Sequence, residues 1–188
     1  MVRGASTCAR PGSVAPSVGP GRVGAGDDGV PSMAMELPTT RDDVLPSSYR
    51  DCFACGEDNP SGLHLVGIRR EGDVIKATLR SKPAFQGFPG VLHGGIAAAA
   101  LDEVMGYACR MLHGTWAATA KFELRYRKGA PDEGELAVEG GVDEASGRRF
   151  RTWGRLLLPE GDVAVEATAL FLPVPAEVLA RFEASVAS

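Results

Sequence analysis

One run of sequence constrains everything around it. Ile96–Leu112 (IAAAALDEVMGYACRML) is apolar almost all the way round, and a helix of that pattern is buried on every side rather than along one stripe. Four consecutive alanines favour the helix, so the rest of the chain has to wrap it. Its middle carries Asp102 and Glu103, the only charges between His93 and Arg110. Neighbouring residues point about 100° apart around a helix, so the two acids face different surroundings. A charge in an apolar setting is costly unless it is paired or used. At least one of the two is expected to carry chemistry, and Asp102 is the better candidate; Glu103 reads as a structural partner of an arginine on a strand.

Just before this helix stand His93, Gly94 and Gly95. A helix start presents backbone N–H groups without partners and a partial positive charge. Glycine there lets a ligand come close to the backbone, so such donors can hold an anion or a developing oxyanion. From His93 to Asp102 is nine residues, roughly 13 Å along the axis. One substrate atom cannot touch both within one chain. If both act on one substrate, the carboxylate of one chain has to meet the helix start of another.

Around the helix the sequence reads as strands. Leu63–Arg70 and Val74–Arg80, separated by Glu71-Gly72-Asp73, form a hairpin pattern. In Trp116–Lys128 the residues Ala118, Ala120, Phe122, Leu124 and Tyr126 alternate with polar ones, the signature of a half-buried strand. Leu136–Asp143, Arg148–Leu158 and Val163–Leu172 follow, split by short turn sequences. The order β-β-α-β-β-β-β with short connections predicts an α+β fold, an antiparallel sheet with one apolar helix on its face. The domain is expected over 48–175, with a short terminal helix over 176–188. Residues 1–47, rich in glycine and proline, offer no core and read as a disordered extension. Arg3, Arg10 and Arg22 precede any acid there, as in a transit peptide, but the prolines and glycines oppose an amphipathic helix. A start at Met33 or Met35 is the other reading of this segment. Gly24-Ala-Gly26-Asp-Asp-Gly29 fits a dinucleotide-binding pattern, yet lacks the strand before it and the helix after it that the motif needs.

The net charge of −4 gives no support for a nucleic-acid partner, and no uninterrupted apolar run is long enough for a membrane span. Cysteines without a secretion signal predict a reducing, cytoplasmic setting. Cys52-Phe-Ala-Cys55-Gly56 is half of a zinc pattern. Zinc takes four ligands, and no second CxxC or CxxH follows. The pair therefore reads as a structural turn, and neither a metal nor another cofactor is expected.

Three motifs, GVLHGGIAAAALDEVMG, CFACGEDNPSGLHL upstream and FELRYRKGAPDEGEL downstream, resemble the hotdog-fold acyl-CoA thioesterases of the phenylacetate-degradation (PaaI-like) type. The likeness runs over about Tyr49 to Val174. It implies a six-stranded antiparallel sheet wrapped around the central helix, and hydrolysis of an acyl-CoA to a carboxylic acid and CoA. It implies Asp102 as base or nucleophile, the Gly94 N–H as the donor polarising the thioester carbonyl, and His93 as a residue that fixes the loop. It also implies a homodimer or tetramer in which the two halves of each site come from different subunits.

Further residues carry over from the same resemblance. Thr119 corresponds to a polar residue contacting the site across the dimer, and Gly95 adjoins the donor. Gln86 stands next to Gly87, where family members often have a polar side chain. Arg127 and Lys128, with Arg148, Arg149 and Arg151, are of the type that pairs with CoA phosphates, though a solvated charged face explains them as well. Phe85, Phe88, Met105 and Tyr107 suggest an apolar acyl pocket. The rival function is a non-catalytic acyl-thioester sensor on the same fold, which would lack the acid or carry a fused DNA-binding segment.

Overall fold

A computed structural model describes residues 37–43 and 47–186. The chain divides into Met1–Ala34, outside the described residues, and a compact unit, Met35–Ser188. In order, that unit contains a short 3-10 turn (Ser47–Asp51), β1 (Val66–Glu71), β2 (Val74–Ser81), a second 3-10 turn (Pro83–Phe85) and α1 (Gly94–His113). Then follow β3 (Ala117–Tyr126), β4 (Gly134–Ser146), β5 (Arg149–Leu157), β6 (Val163–Pro173) and α2 (Ala176–Val186). All six strands form one antiparallel sheet in the order β1-β2-β4-β5-β6-β3. With α1 packed on its face, this is the hotdog arrangement expected from the sequence.

α1 begins two residues earlier than the expected Ile96, taking in Gly94 and Gly95, and ends one residue later, at His113. His93 is the N-cap, its ring accepting from the Gly95 N–H, and Gly114 closes the other end in the left-handed conformation at φ 67°. Ala97, Ala100, Leu101, Val104, Met105 and Ala108 are buried against strand residues such as Leu79, Leu136, Val138 and Leu156. Two strand glycines let the helix lie close. A Cβ at Gly154 would stand 2.8 Å from Met105 Sδ, and one at Gly140 3.2 Å from Val104 Cγ1. The helix is not enclosed on every side, however. Ala98, Ala99, Asp102, Glu103 and Gly106 are only half-buried, because one sheet covers little more than half of the helix circumference.

Two expectations shift. β1 begins at Val66 rather than Leu63: His64 takes a left-handed φ of 52°, and Leu63 and Leu65 donate backbone bonds to Phe53 and Ala54 instead of to a strand. The domain boundary lies earlier than residue 47, since Arg41 N–H donates to Ile68 and Arg70 N–H to Thr39. Residues 39–41 thus cover the free edge of β1. β3 crosses to the far edge of the sheet and pairs there with β6. Phe122 and Leu124 are half-buried as the alternation predicts, while Ala118, Ala120 and Tyr126 are exposed. An edge strand in a single chain has nothing beyond it to bury them.

Candidate active site

Asp102 projects from the middle of α1 into a cleft of about 350 Å³. Trp116 at the foot of β3, Phe171 on β6 and Tyr107 on α1 give it apolar walls, and Cys52 closes one side. Trp116 is itself held in place, stacked on Tyr49 at 6.0 Å and lying under the Arg110 guanidinium at 5.3 Å. Within this cleft Thr119 Oγ1 donates to Asp102 Oδ1 at 2.5 Å. The contact is made within one chain.

A bulge explains why Thr119 reaches the acid. Strict alternation would place Thr119 on the same face as Lys121 and Glu123, away from the helix. The register breaks between Thr119 and Lys121, so Ala120 has no partner on β6, where Thr119 pairs with Phe171 and Lys121 with Leu170. One extra residue reverses the facing of the chain before it. Thr119 is thereby turned towards α1.

Glu103, one residue on, sits in different surroundings. Among the described residues no arginine pairs with it, contrary to the structural ion pair expected; its neighbours are thiols. Cys52 Sγ lies 3.7 Å from Glu103 Oε1, and Cys55 Sγ lies 3.4 Å from the Tyr107 hydroxyl. Burial pushes the Glu103 carboxyl up to about 7. Hydrogen bonding from the Cys55 thiol pulls Cys52 down to about 5, and the same contact holds Cys55 well above the usual thiol range.

The other predicted residues gather elsewhere. At the start of α1, His93 Nδ1 accepts from the Gly95 N–H at 3.0 Å, which fixes the loop and occupies the Gly95 donor. The Gly94 N–H, first in the helix, has no acceptor within the helix. Tyr126, a residue the sequence offered only as one more apolar position, donates its hydroxyl to the Gly94 carbonyl at 2.9 Å. A Cβ at Gly94 would stand 3.1 Å from the Tyr126 hydroxyl and 3.2 Å from its ring, so any larger residue there would crowd Tyr126. Eight residues separate Gly94 from Asp102, about 12 Å along the helix. One chain therefore carries two half-sites that do not meet.

Gln86 is bridged to Leu92 beside the start of α1, and its side chain donates to the buried Asp132 at 2.9 Å. Arg127 pairs with Glu166 at 2.6 Å and Lys128 with Asp162, and neither lines the cleft. Arg149 and Arg151 both pair with Glu144. Of the four residues expected to build an acyl pocket, only Tyr107 lines the cleft. Phe85 and Met105 are core, and Phe88 is 80 % exposed on its loop.

Comparison with known proteins gives the class. Residues 89–164 match the model of the thioesterase superfamily. Among solved structures, a thioesterase superfamily protein is 29 % identical over 62 % of this chain, with a TM-score of 0.58. This chain spans only 60 % of that protein's length. A conserved protein from Pseudomonas aeruginosa is 17 % identical over 71 % of this chain and 98 % of its own, with a TM-score of 0.57. A protein from Streptococcus mutans UA159, solved bound to acetyl CoA, is 16 % identical over 58 % of this chain and 86 % of its own, with a TM-score of 0.53. The last two share the fold. Over residues 89–164 the chain is thus similar to the thioesterase superfamily.

Proposed function

We propose that this protein is an acyl-CoA thioesterase of the PaaI-like type. The observation that carries the reading is Asp102, a carboxylate at the centre of a packed helix, oriented by Thr119 in an apolar-walled cleft. The Streptococcus mutans protein of the same fold was solved bound to acetyl CoA, in keeping with a CoA thioester as substrate. Asp102 takes a proton from water as the water oxygen bonds to the thioester carbonyl carbon. The Gly94 N–H of the partner subunit receives the oxyanion. Collapse breaks the C–S bond, and the thiolate leaves as CoA with the proton returned from Asp102. A thiolate departs without strong protonation, so one carboxylate and one N–H suffice. Attack by Asp102 itself, through a mixed anhydride, uses the same groups. Oxygen-labelled water in a single turnover separates the two, because only the anhydride route places label in the aspartate.

The shared site follows from the separated half-sites and from β3, which lies open at the sheet edge with Ala118, Ala120 and Tyr126 exposed. Two such edges meeting about a two-fold axis join the sheets and bring the Gly94 end of one chain towards Asp102 of the other. A screen of acyl-CoAs by free-thiol release tests the activity. Turnover of at least one acyl-CoA, lost in Asp102→Asn, is the expected result; tight acyl-CoA binding with no thiol release by the wild type would make the protein a sensor.

A further inference from the structure

The CxxC loop has a third donor that its sequence could not reveal. Cys52 Sγ, Cys55 Sγ and a Glu103 carboxylate oxygen all lie within 4.8 Å of one another. Zinc binds thiolate sulfur at about 2.3 Å and carboxylate oxygen at about 2.0–2.2 Å. Tetrahedral angles then set S···O edges of about 3.6 Å and S···S edges of about 3.8 Å. The Cys52 Sγ–Glu103 Oε1 separation is 3.7 Å, which is such an edge. We propose that Cys52, Cys55 and Glu103 form a zinc site in the wall of the cleft, with a water in the fourth position.

The loop is built to hold its sulfurs where they are. Gly56 N–H donates to the Cys52 carbonyl at 2.9 Å, closing the turn, and backbone N–H groups of Ala54 and Cys55 point at the Cys52 sulfur. A Cβ at Gly56 would stand 2.2 Å from the Arg50 carbonyl and 2.4 Å from the Cys52 nitrogen, so no other residue fits there. The loop is then sewn to the domain by the Leu63 N–H on Phe53 and the Leu65 N–H on Ala54. All three donors line the same cleft, which leaves that side for a water.

Charge and softness also favour zinc. Two thiolates and a carboxylate bring three negative charges, which a divalent ion reduces to one. The Arg41 guanidinium, 17 % exposed and beside Cys55, adds positive charge on that side, shared with Asp42 and Glu57 at 3.5 and 3.7 Å. Thiolate donors select zinc over magnesium or calcium. The bound ion would tie the loop to α1 at the residue following Asp102, fixing one wall of the cleft. The expectation that no metal binds rested on missing co-ligands; Glu103 lies 51 residues from Cys52, beyond the reach of any spacing rule.

The test reads the metal directly and does not depend on thioesterase activity. The full chain, stripped of metal and checked for fold by circular dichroism, is titrated with Co²⁺. One equivalent with a thiolate-to-cobalt charge-transfer band is expected, displaced by Zn²⁺. Cys52→Ser and Cys55→Ser should each lose the band. Glu103→Gln, which keeps the volume, should keep the thiolate band with affinity lowered at least about tenfold. If the stripped chain unfolds and zinc restores it, the site is equally supported. A folded wild type with no cobalt band, a Cys52–Cys55 disulfide in chain handled without oxidant, or unchanged affinity in Glu103→Gln would each overturn the proposal.

Discussion

Asp102 and Thr119 form a hydrogen-bonded unit; in the proposed reaction one residue reacts and the other aims it. Replacing Asp102 with Asn keeps volume and removes the charge, so the fold should survive. Turnover should fall by about 10²–10⁴, the usual contribution of a positioned acid or base, with KM little changed. Wild-type turnover in that variant would move the chemistry elsewhere in the cleft. Thr119→Ala removes one hydrogen bond to a charged group, worth about 1.5–3 kcal/mol. A loss of about ten- to a hundredfold in kcat is expected, and Thr119→Ser should recover most of it, since the hydroxyl rather than the methyl orients the acid. If Ser fails to rescue, Thr119 matters for packing and not for aim.

Among the elements, the sheet edges and the CxxCG loop have the clearest consequences. Truncation through residue 36 removes sequence with no core composition and should leave the melting temperature unchanged. Truncation through residue 43 also removes the backbone bonds of Thr39 and Arg41 to β1. At about 1 kcal/mol each, and about 2–4 °C per kcal/mol in a domain of this size, a fall of about 4–8 °C is expected. Equal melting temperatures for the two truncations would show that this edge contact contributes nothing. Gly56→Ala forces a Cβ against backbone that has nowhere to go. It should cost about 3 kcal/mol or more in chemical denaturation, whereas Gly147→Ala, with open space around it, should be close to neutral.

For the whole molecule the question is whether a site is completed by a second chain. The two half-sites on α1 are about 12 Å apart, and β3 offers an open edge. Asp102→Asn and Gly94→Val, the latter crowding Tyr126 and the donor, should each be inactive. In a heterodimer with shared sites, one site carries both lesions and the other carries neither. Mixing with subunit exchange should therefore restore up to about half of the activity per heterodimer. A mixture that stays inactive despite demonstrated exchange would place each site within one chain.

The sequence by itself determined the elements and the acid. Apolar periodicity is a local property, so α1, its stop at Gly114, and the strand order β-β-α-β-β-β-β were legible without coordinates; the N-cap at His93 was not. Asp102 stood out because a charge inside an apolar helix has to be accounted for. What spacing could not carry was any contact made by closing the sheet. The pairing of β3 with β6, the bulge at Ala120 that turns Thr119 to Asp102, Tyr126 on the Gly94 carbonyl, and Glu103 between Cys52 and Cys55 all join residues far apart in the chain. Gln86, Arg127 and Lys128 show the converse: each has the polarity of a site residue, and in the fold each faces a nearer acid of its own. A side chain's type sets what it can bind, but its partner is chosen by which surfaces the wrapped sheet brings within hydrogen-bonding distance. That choice is made only in the tertiary structure.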